Sequence, residues 1–156
     1  MLSKGVPLQK VTTHNKLGAI EKNAEMRGTV VVVDDDENFR FALILMLQLE
    51  GFEVVGEAAD GFEAVDVTEA AKPSFVIIDT MLPGRDGEEA AALIRTRAPG
   101  SKIIASSGFL RSTPTWADAF ADKTDVAAIA KLLRELAGEG PPDGLRGRDS
   151  NPQPTG

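Results

Sequence analysis

VVVVDDDENFR, residues 30–40, runs four valines straight into three aspartates. Four β-branched apolar residues without alternation describe a strand covered on both faces, as in the middle of a parallel sheet. The aspartates then place like charges at the strand's end. Two unit charges about 4 Å apart repel by about 4 kcal/mol at a surface-like dielectric. Either the acids splay into water or something positive sits among them.

Working outward, the pattern repeats. Asn38–Glu50 carries Phe39, Ala42, Leu43, Leu45, Met46 and Leu49 as a broad helical stripe, and Gly51 follows as its stop. Glu53–Ala58 reads as a short strand. Gly61–Ala71 reads as a helix ended by Lys72-Pro73. Phe75–Ile78 is a second buried strand, running into Asp79. Glu88–Arg97 is a helix ending before Pro99, Lys102–Ser106 a strand and Ala119–Ala121 a weaker one. Asp125–Ala137 closes the series as an amphipathic helix stopped by Gly138. Strands alternating with helices predict an α/β fold, a three-layer sandwich with a five-stranded parallel sheet. Ligands of such sheets bind beyond the carboxyl ends of the strands. Asp34-Asp35-Asp36, Asp79, Ser106-Ser107 and Lys123 all fall there.

The composition narrows the classes. The 156 residues suit one domain, expected over 29–137, with a flexible tail at 1–28 and a disordered Gly/Pro-rich tail at 138–156. A short helix is conceivable near Leu17–Ala24. The net charge of −7 is uneven: residues 1–28 hold five basic and two acidic residues, while 29–137 hold ten and nineteen. An acidic body argues against direct nucleic-acid binding. Without cysteine there is neither disulfide nor thiolate metal site. No apolar run approaches a membrane span and the N-terminus lacks a signal peptide's apolar stretch. The expectation is a soluble, cytoplasmic chain with no membrane partner.

Clustered carboxylates are hard oxygen donors that suit Mg²⁺. A carboxylate at a strand tip can accept a phosphoryl group if a metal, a hydroxyl and a cation manage the phosphoryl charge. Asp79, followed by TMLPGRDG, sits at such a tip, and the Asp triplet, Ser107 and Lys123 supply the remaining groups.

VVVVDDDENFR, VIIDTMLPGRDG (76–87 within the third unit), IIASSG and ADAFADK together resemble the receiver domain of bacterial two-component response regulators across residues 29–137. That resemblance implies a flavodoxin-like (βα)5 fold with strand order 2-1-3-4-5. It implies Asp79 as phosphoacceptor, Ser107 and Lys123 as phosphoryl contacts, and Phe120 as the aromatic switch beside Ser107. Asp34 and Asp35 would be the acidic metal pair, Asp36 a neighbour, and the Met81 backbone carbonyl a further Mg²⁺ ligand. The implied partners are a histidine kinase or phosphotransfer protein and an output protein, since no output domain is expected on this chain. The implied activity is a signalling domain catalysing only its own phosphorylation and dephosphorylation. Alternation puts Ser106 and Ser107 on opposite faces, so which faces the site stays open.

Two other readings fit fewer residues. A pseudo-receiver would keep the fold as an interaction module without phosphorylation. Asp34-x-Asp36 also resembles the start of a haloacid-dehalogenase-type phosphatase, but Glu37-Asn38 follow where Thr or Val and then Gly are expected. His14, the sole histidine, reads as incidental.

The sequence departs from the receiver pattern twice. Thr124 follows Lys123 where proline is usual, so a trans bond is expected, because a cis bond before a non-proline costs about 2.5–4 kcal/mol. GFLRSTPTWAD, between Ser107 and Ala119, is too short for a full crossover, so the fourth helix is expected to be short or absent. Thr113-Pro114 reads as an N-cap and first position of one or two turns. Trp116 is expected to cover the apolar ground left bare.

Overall fold

The structure, a computed structural model, describes residues 27–138. Expectations for the two tails and for His14 lie outside them. Five parallel strands form one sheet in the order β2-β1-β3-β4-β5. They are β1 (Gly28–Val33), β2 (Phe52–Ala58), β3 (Phe75–Asp79), β4 (Lys102–Ser107) and β5 (Ala119–Asp122). The helices are α1 (Glu37–Leu49), α2 (Gly61–Ala71), α3 (Gly87–Arg97) and α4 (Val126–Leu136). Every boundary lies within two residues of the sequence expectation.

The valine run explains the centre. Val30 to Val33 are buried, with Val30 and Val32 in one core and Val31 and Val33 in the other. Alternate side chains of a strand point to opposite faces, so one run feeds both layers. α1 and α4 cover the first face with Leu43, Leu47, Ile129 and Leu133, and the Arg134–Glu50 ion pair joins the two helices. α2 and α3 cover the second with Ala64, Val65, Ala90, Ala91 and Ile94.

Aspartate begins each of the four helices. Asp36, Asp60, Asp86 and Asp125 are extended in backbone and accept main-chain N–H groups of the first turn. Such caps satisfy donors a helix leaves unpaired and add negative charge at its positive end.

Two expectations need correction. α1's apolar residues do not share one face: Leu43 and Leu47 are buried, whereas Leu45 and Leu49 are exposed, as is Phe41. Thr113-Pro114 starts no helical turn. Residues 108–118 carry no helix, only a tight turn in which the Ala117 N–H reaches the Pro114 carbonyl at 3.1 Å. Trp116 and Ala117 pack on the second core, covering ground a crossover helix would otherwise take. The Lys123–Thr124 bond is trans, in line with the absence of proline.

Candidate phosphoryl and metal site

The three aspartates after β1 have three separate duties. Asp34 is buried, 1% exposed, and its Oδ1 accepts the Asp36 N–H at 2.8 Å. Asp35 is exposed. Asp36 turns away and caps α1, accepting from Asn38 and Phe39. Only the first two remain near the crevice.

Asp79 ends β3, 5% exposed. Its Oδ1 accepts the Met81 N–H at 3.1 Å. Lys123, just past β5, sends its ammonium between the acids, 2.8 Å from Asp34 Oδ2 and 2.9 Å from Asp79 Oδ2. That ammonium also lies 5.1 Å from the centre of the Phe39 ring. The positive group demanded by the aspartate run is therefore Lys123, far downstream in the sequence. Parallel topology brings β1, β3 and β5 out at one edge, so the meeting follows from the strand order.

Burial dominates Asp34 and raises its pKa, with the Lys123 and Asp36 contacts pulling the other way. For Lys123, burial opposes the charge, but contacts with Asp34 and Asp79 outweigh it and raise its pKa. The ammonium is thus held charged.

Asp34, Asp35 and Asp79 each offer a carboxylate oxygen within 4.8 Å of the others. An all-oxygen cluster of that span, with one member exposed to solvent, fits a hard divalent cation that keeps some of its waters.

The serine question is sharpened. Ser106 is fully enclosed, and its Oγ has no hydrogen-bond partner among the described residues. Ser107 Oγ accepts the N–H groups of Phe109 at 2.9 Å and Leu110 at 3.3 Å, and its carbonyl accepts the Lys123 N–H at 3.1 Å. An Oγ used as acceptor still has its own proton to donate. Phe120 is half-buried on β5.

Sequence reasoning missed Arg40. It donates to the Asp34 carbonyl at 2.7 Å and pairs with Glu57 at 2.8 Å, fastening the end of β1 to β2. Its position one turn into the helix after the aspartates was the available signal. The seat of the loop after Asp79 was also missed. The Gly61 N–H reaches the Pro83 carbonyl at 3.3 Å, and a Cβ on Gly61 would fall 1.8 Å from the Arg85 carbonyl oxygen. Gly84 takes φ 77°, and Arg85 lies over the Phe62 ring at 4.4 Å. The loop rests directly on the start of α2.

Comparison with known proteins gives one consistent picture. The model of the response regulator receiver domain matches residues 30–131. The transcriptional regulatory protein PdtaR of Mycobacterium tuberculosis is 42% identical over 117 residues, 75% of this chain and 54% of that protein. This chain thus spans about half the length of that relative. The chemotaxis protein CheY of Listeria monocytogenes is 37% identical over 78 residues, 50% of this chain and 66% of that protein. Among solved structures, the signal receiver domain of the response regulator NarL from M. tuberculosis superposes with a TM-score of 0.61 at 26% identity. That match covers 74% of this chain and all of that domain. A receiver domain of the sensor histidine kinase PA1611 from Pseudomonas aeruginosa, with magnesium in its active-site cleft, shares the fold at a TM-score of 0.63 and 22% identity. It covers 71% of this chain and 98% of that one. Among the described residues, no helix is long and apolar enough to cross a membrane.

Proposed function

Because this chain belongs to the response regulator receiver family, we propose that Asp79 accepts a phosphoryl group from a phosphohistidine donor in a Mg²⁺-dependent step. The donor is a histidine kinase or a phosphotransfer protein, and the phosphorylated chain signals through a protein partner. The observation that carries the reading is Lys123: its ammonium pairs with Asp79 and Asp34 at once, beside a three-carboxylate cluster.

In the proposed reaction, Asp79 Oδ attacks phosphorus in line, an O–P bond forms, and the P–N bond to the donor imidazole breaks. The imidazole nitrogen keeps the electron pair and takes a proton. Asp34, Asp35, Asp79 and the main-chain carbonyl of Met81 would hold Mg²⁺, which would supply positive charge against the phosphoryl oxygens. Lys123 turns from the carboxylates to a phosphoryl oxygen, and the Ser107 hydroxyl donates to another. Phe120 changes packing as Ser107 moves. The Asp34 and Asp35 carboxylates orient the site without reacting.

Intact mass after acetyl phosphate with Mg²⁺ tests the assignment. One phosphoryl should appear on the chain and none on Asp79→Asn. Undiminished labelling of that variant would remove Asp79 as acceptor. A chain that takes no phosphoryl and no beryllofluoride would be a pseudo-receiver, and steady turnover would make it a phosphatase. Separately, Mg²⁺ should raise the melting temperature by mass action, and Asp35→Ala should abolish that rise. Equal melting in Mg²⁺ and in chelator counts against the metal site.

A further inference from the structure

β4 ends in two serines that the sheet sends to opposite sides. Its register places Ser106 beside Asp79 on β3 and beside Ala121 on β5. Ile77, two residues before Asp79, and Ile104, two before Ser106, both belong to the core under α1 and α4. Asp79 and Ser106 therefore project to that side, and Asp34 joins them by the same alternation from Val32. Asp34, Asp79 and Ser106 thus form a row across the ends of three adjacent strands, each step about 4.8 Å. Ser107 projects to the other side, where its Oγ accepts the Phe109 and Leu110 N–H groups.

Ser106 is 0% exposed, yet its Oγ has no hydrogen-bond partner among the described residues. A buried hydroxyl without a partner is unfavourable, so its presence calls for a reason. The neighbouring carboxylate supplies one. Asp79 Oδ2 is held by the Lys123 ammonium at 2.9 Å. Lys123 starts just past β5 and crosses the end of β4 to reach Asp79 and Asp34. Ser106 is therefore a free donor beside a carboxylate oxygen whose present donor is a long side chain anchored two strands away.

We propose that the Ser106 hydroxyl is the donor that takes over Asp79 Oδ2 when Lys123 leaves it, and that it thereby shortens the lifetime of the phosphorylated chain. The inference rests on the reading of Asp79 as phosphoacceptor. In that reading Lys123 turns to a phosphoryl oxygen, and Oδ2 loses its ammonium contact. Rotation of Ser106 about its Cα–Cβ bond carries the O–H to the freed oxygen. The contact acts when the phosphoryl group is lost. The oxygen of a water molecule forms a new bond to phosphorus, the bond between Asp79 and phosphorus breaks, the electron pair returns to the carboxylate, and the water proton passes to solvent. Negative charge gathers on the carboxylate in that step, and a hydrogen bond to an ionised acceptor is stronger than one to a neutral acceptor. Ser106 serves the leaving carboxylate from one side of the sheet, while Ser107 serves the phosphoryl oxygens from the other.

Full-length native chain and Ser106→Ala are labelled with acetyl phosphate and Mg²⁺, the acetyl phosphate is removed, and the remaining phosphoryl is followed by intact mass. Ser106→Ala should keep its phosphoryl group about tenfold longer, a factor equal to about 1.4 kcal/mol of transition-state stabilisation. An equal or shorter lifetime overturns the role of Ser106 and leaves Asp79 as acceptor. A native chain that takes no phosphoryl overturns the reading of Asp79, and the role of Ser106 with it. A second measurement needs no phosphoryl group. Because the hydroxyl is unpaired in the resting chain, Ser106→Ala in chelator should melt at the native temperature or above it. Melting lowered by several degrees would mean that the hydroxyl is already bonded in the resting fold, which also overturns the proposal.

Discussion

The β3–β4 and β4–β5 connections perform the same topological task with different materials. The first spends a full helix, α3, and anchors it by burying Ala90, Ala91 and Ile94. The second has no helix and is tied by polar contacts. Asp118 accepts the Ile103 N–H at 2.8 Å and pairs with Arg95 at 3.0 Å, while its own N–H reaches the Ile103 carbonyl at 2.7 Å. Arg95 also donates to the Trp116 carbonyl at 3.2 Å. One arginine on α3 thus holds down the segment that replaces the missing helix. A short crossover can close if charge-assisted hydrogen bonds take over from apolar area, each worth less and each more exposed to solvent.

The largest expected effect lies on the helical side. Ile94→Ala should lower unfolding free energy by about 3 kcal/mol, read from urea melts, because it leaves a cavity in a packed layer. Asp118→Ala should cost less, about 1–2 kcal/mol, since its carboxylate is partly solvated. It should also speed hydrogen exchange at the Ile103 amide. If Asp118→Ala proves the more damaging of the two, the contrast between an apolar and a polar crossover is wrong.

Acid sharpens the same contrast. Burial works against the Asp118 charge, but the Ile103 N–H and Arg95 outweigh it and hold the carboxyl below its usual value of 3.8. A lowered folded-state pKa means the stabilisation is complete above the unfolded value and disappears as pH falls through the folded one. The stability gap between the native chain and Asp118→Asn should stay level from neutrality to about pH 5 and close below about pH 4. A gap independent of pH would exclude the carboxylate as the tie.

A smaller change concerns Trp116, the only tryptophan. A Cβ on Gly87 would lie 3.3 Å from its ring and 2.8 Å from the Asp79 carbonyl oxygen. The ring therefore packs one glycine away from the proposed phosphoacceptor. Beryllofluoride with Mg²⁺ should change its fluorescence, and a silent spectrum would uncouple the short crossover from the site. The least effect is expected at Phe109, 78% exposed in the same segment. Phe109→Ser should alter stability by less than about 0.5 kcal/mol.

The strands and most helix ends could be read directly because their causes are local. Val30–Val33 and Phe75–Ile78 are short apolar runs bounded by polar tips, and Gly51 and Pro99 stop helices where they stand. The α1 face was harder. Ala42, Leu45 and Leu49 fit an apolar period, but a helix on the flank of a sheet buries only one side, so the excess had to face outward. Asp118 and Arg95 were invisible because their partnership joins residues twenty-three apart through a strand that neither belongs to. For the site, residue types and strand ends located Asp34, Asp79 and Lys123. The ammonium's pairing with both acids needed coordinates, and so did the enclosure of Ser106.

The resident ammonium of Lys123 has a consequence for the order of events in the molecule's life. A zinc finger gathers its ligands only when the ion arrives, so folding and metal loading are one process. Here the carboxylates are gathered beforehand by a side chain of the same chain, which serves as a built-in counterion. Under the proposed metal site, folding and ion binding would be separate steps. If that site holds, a chain made in ion-poor surroundings should reach the same fold, and the cation would bind a finished molecule.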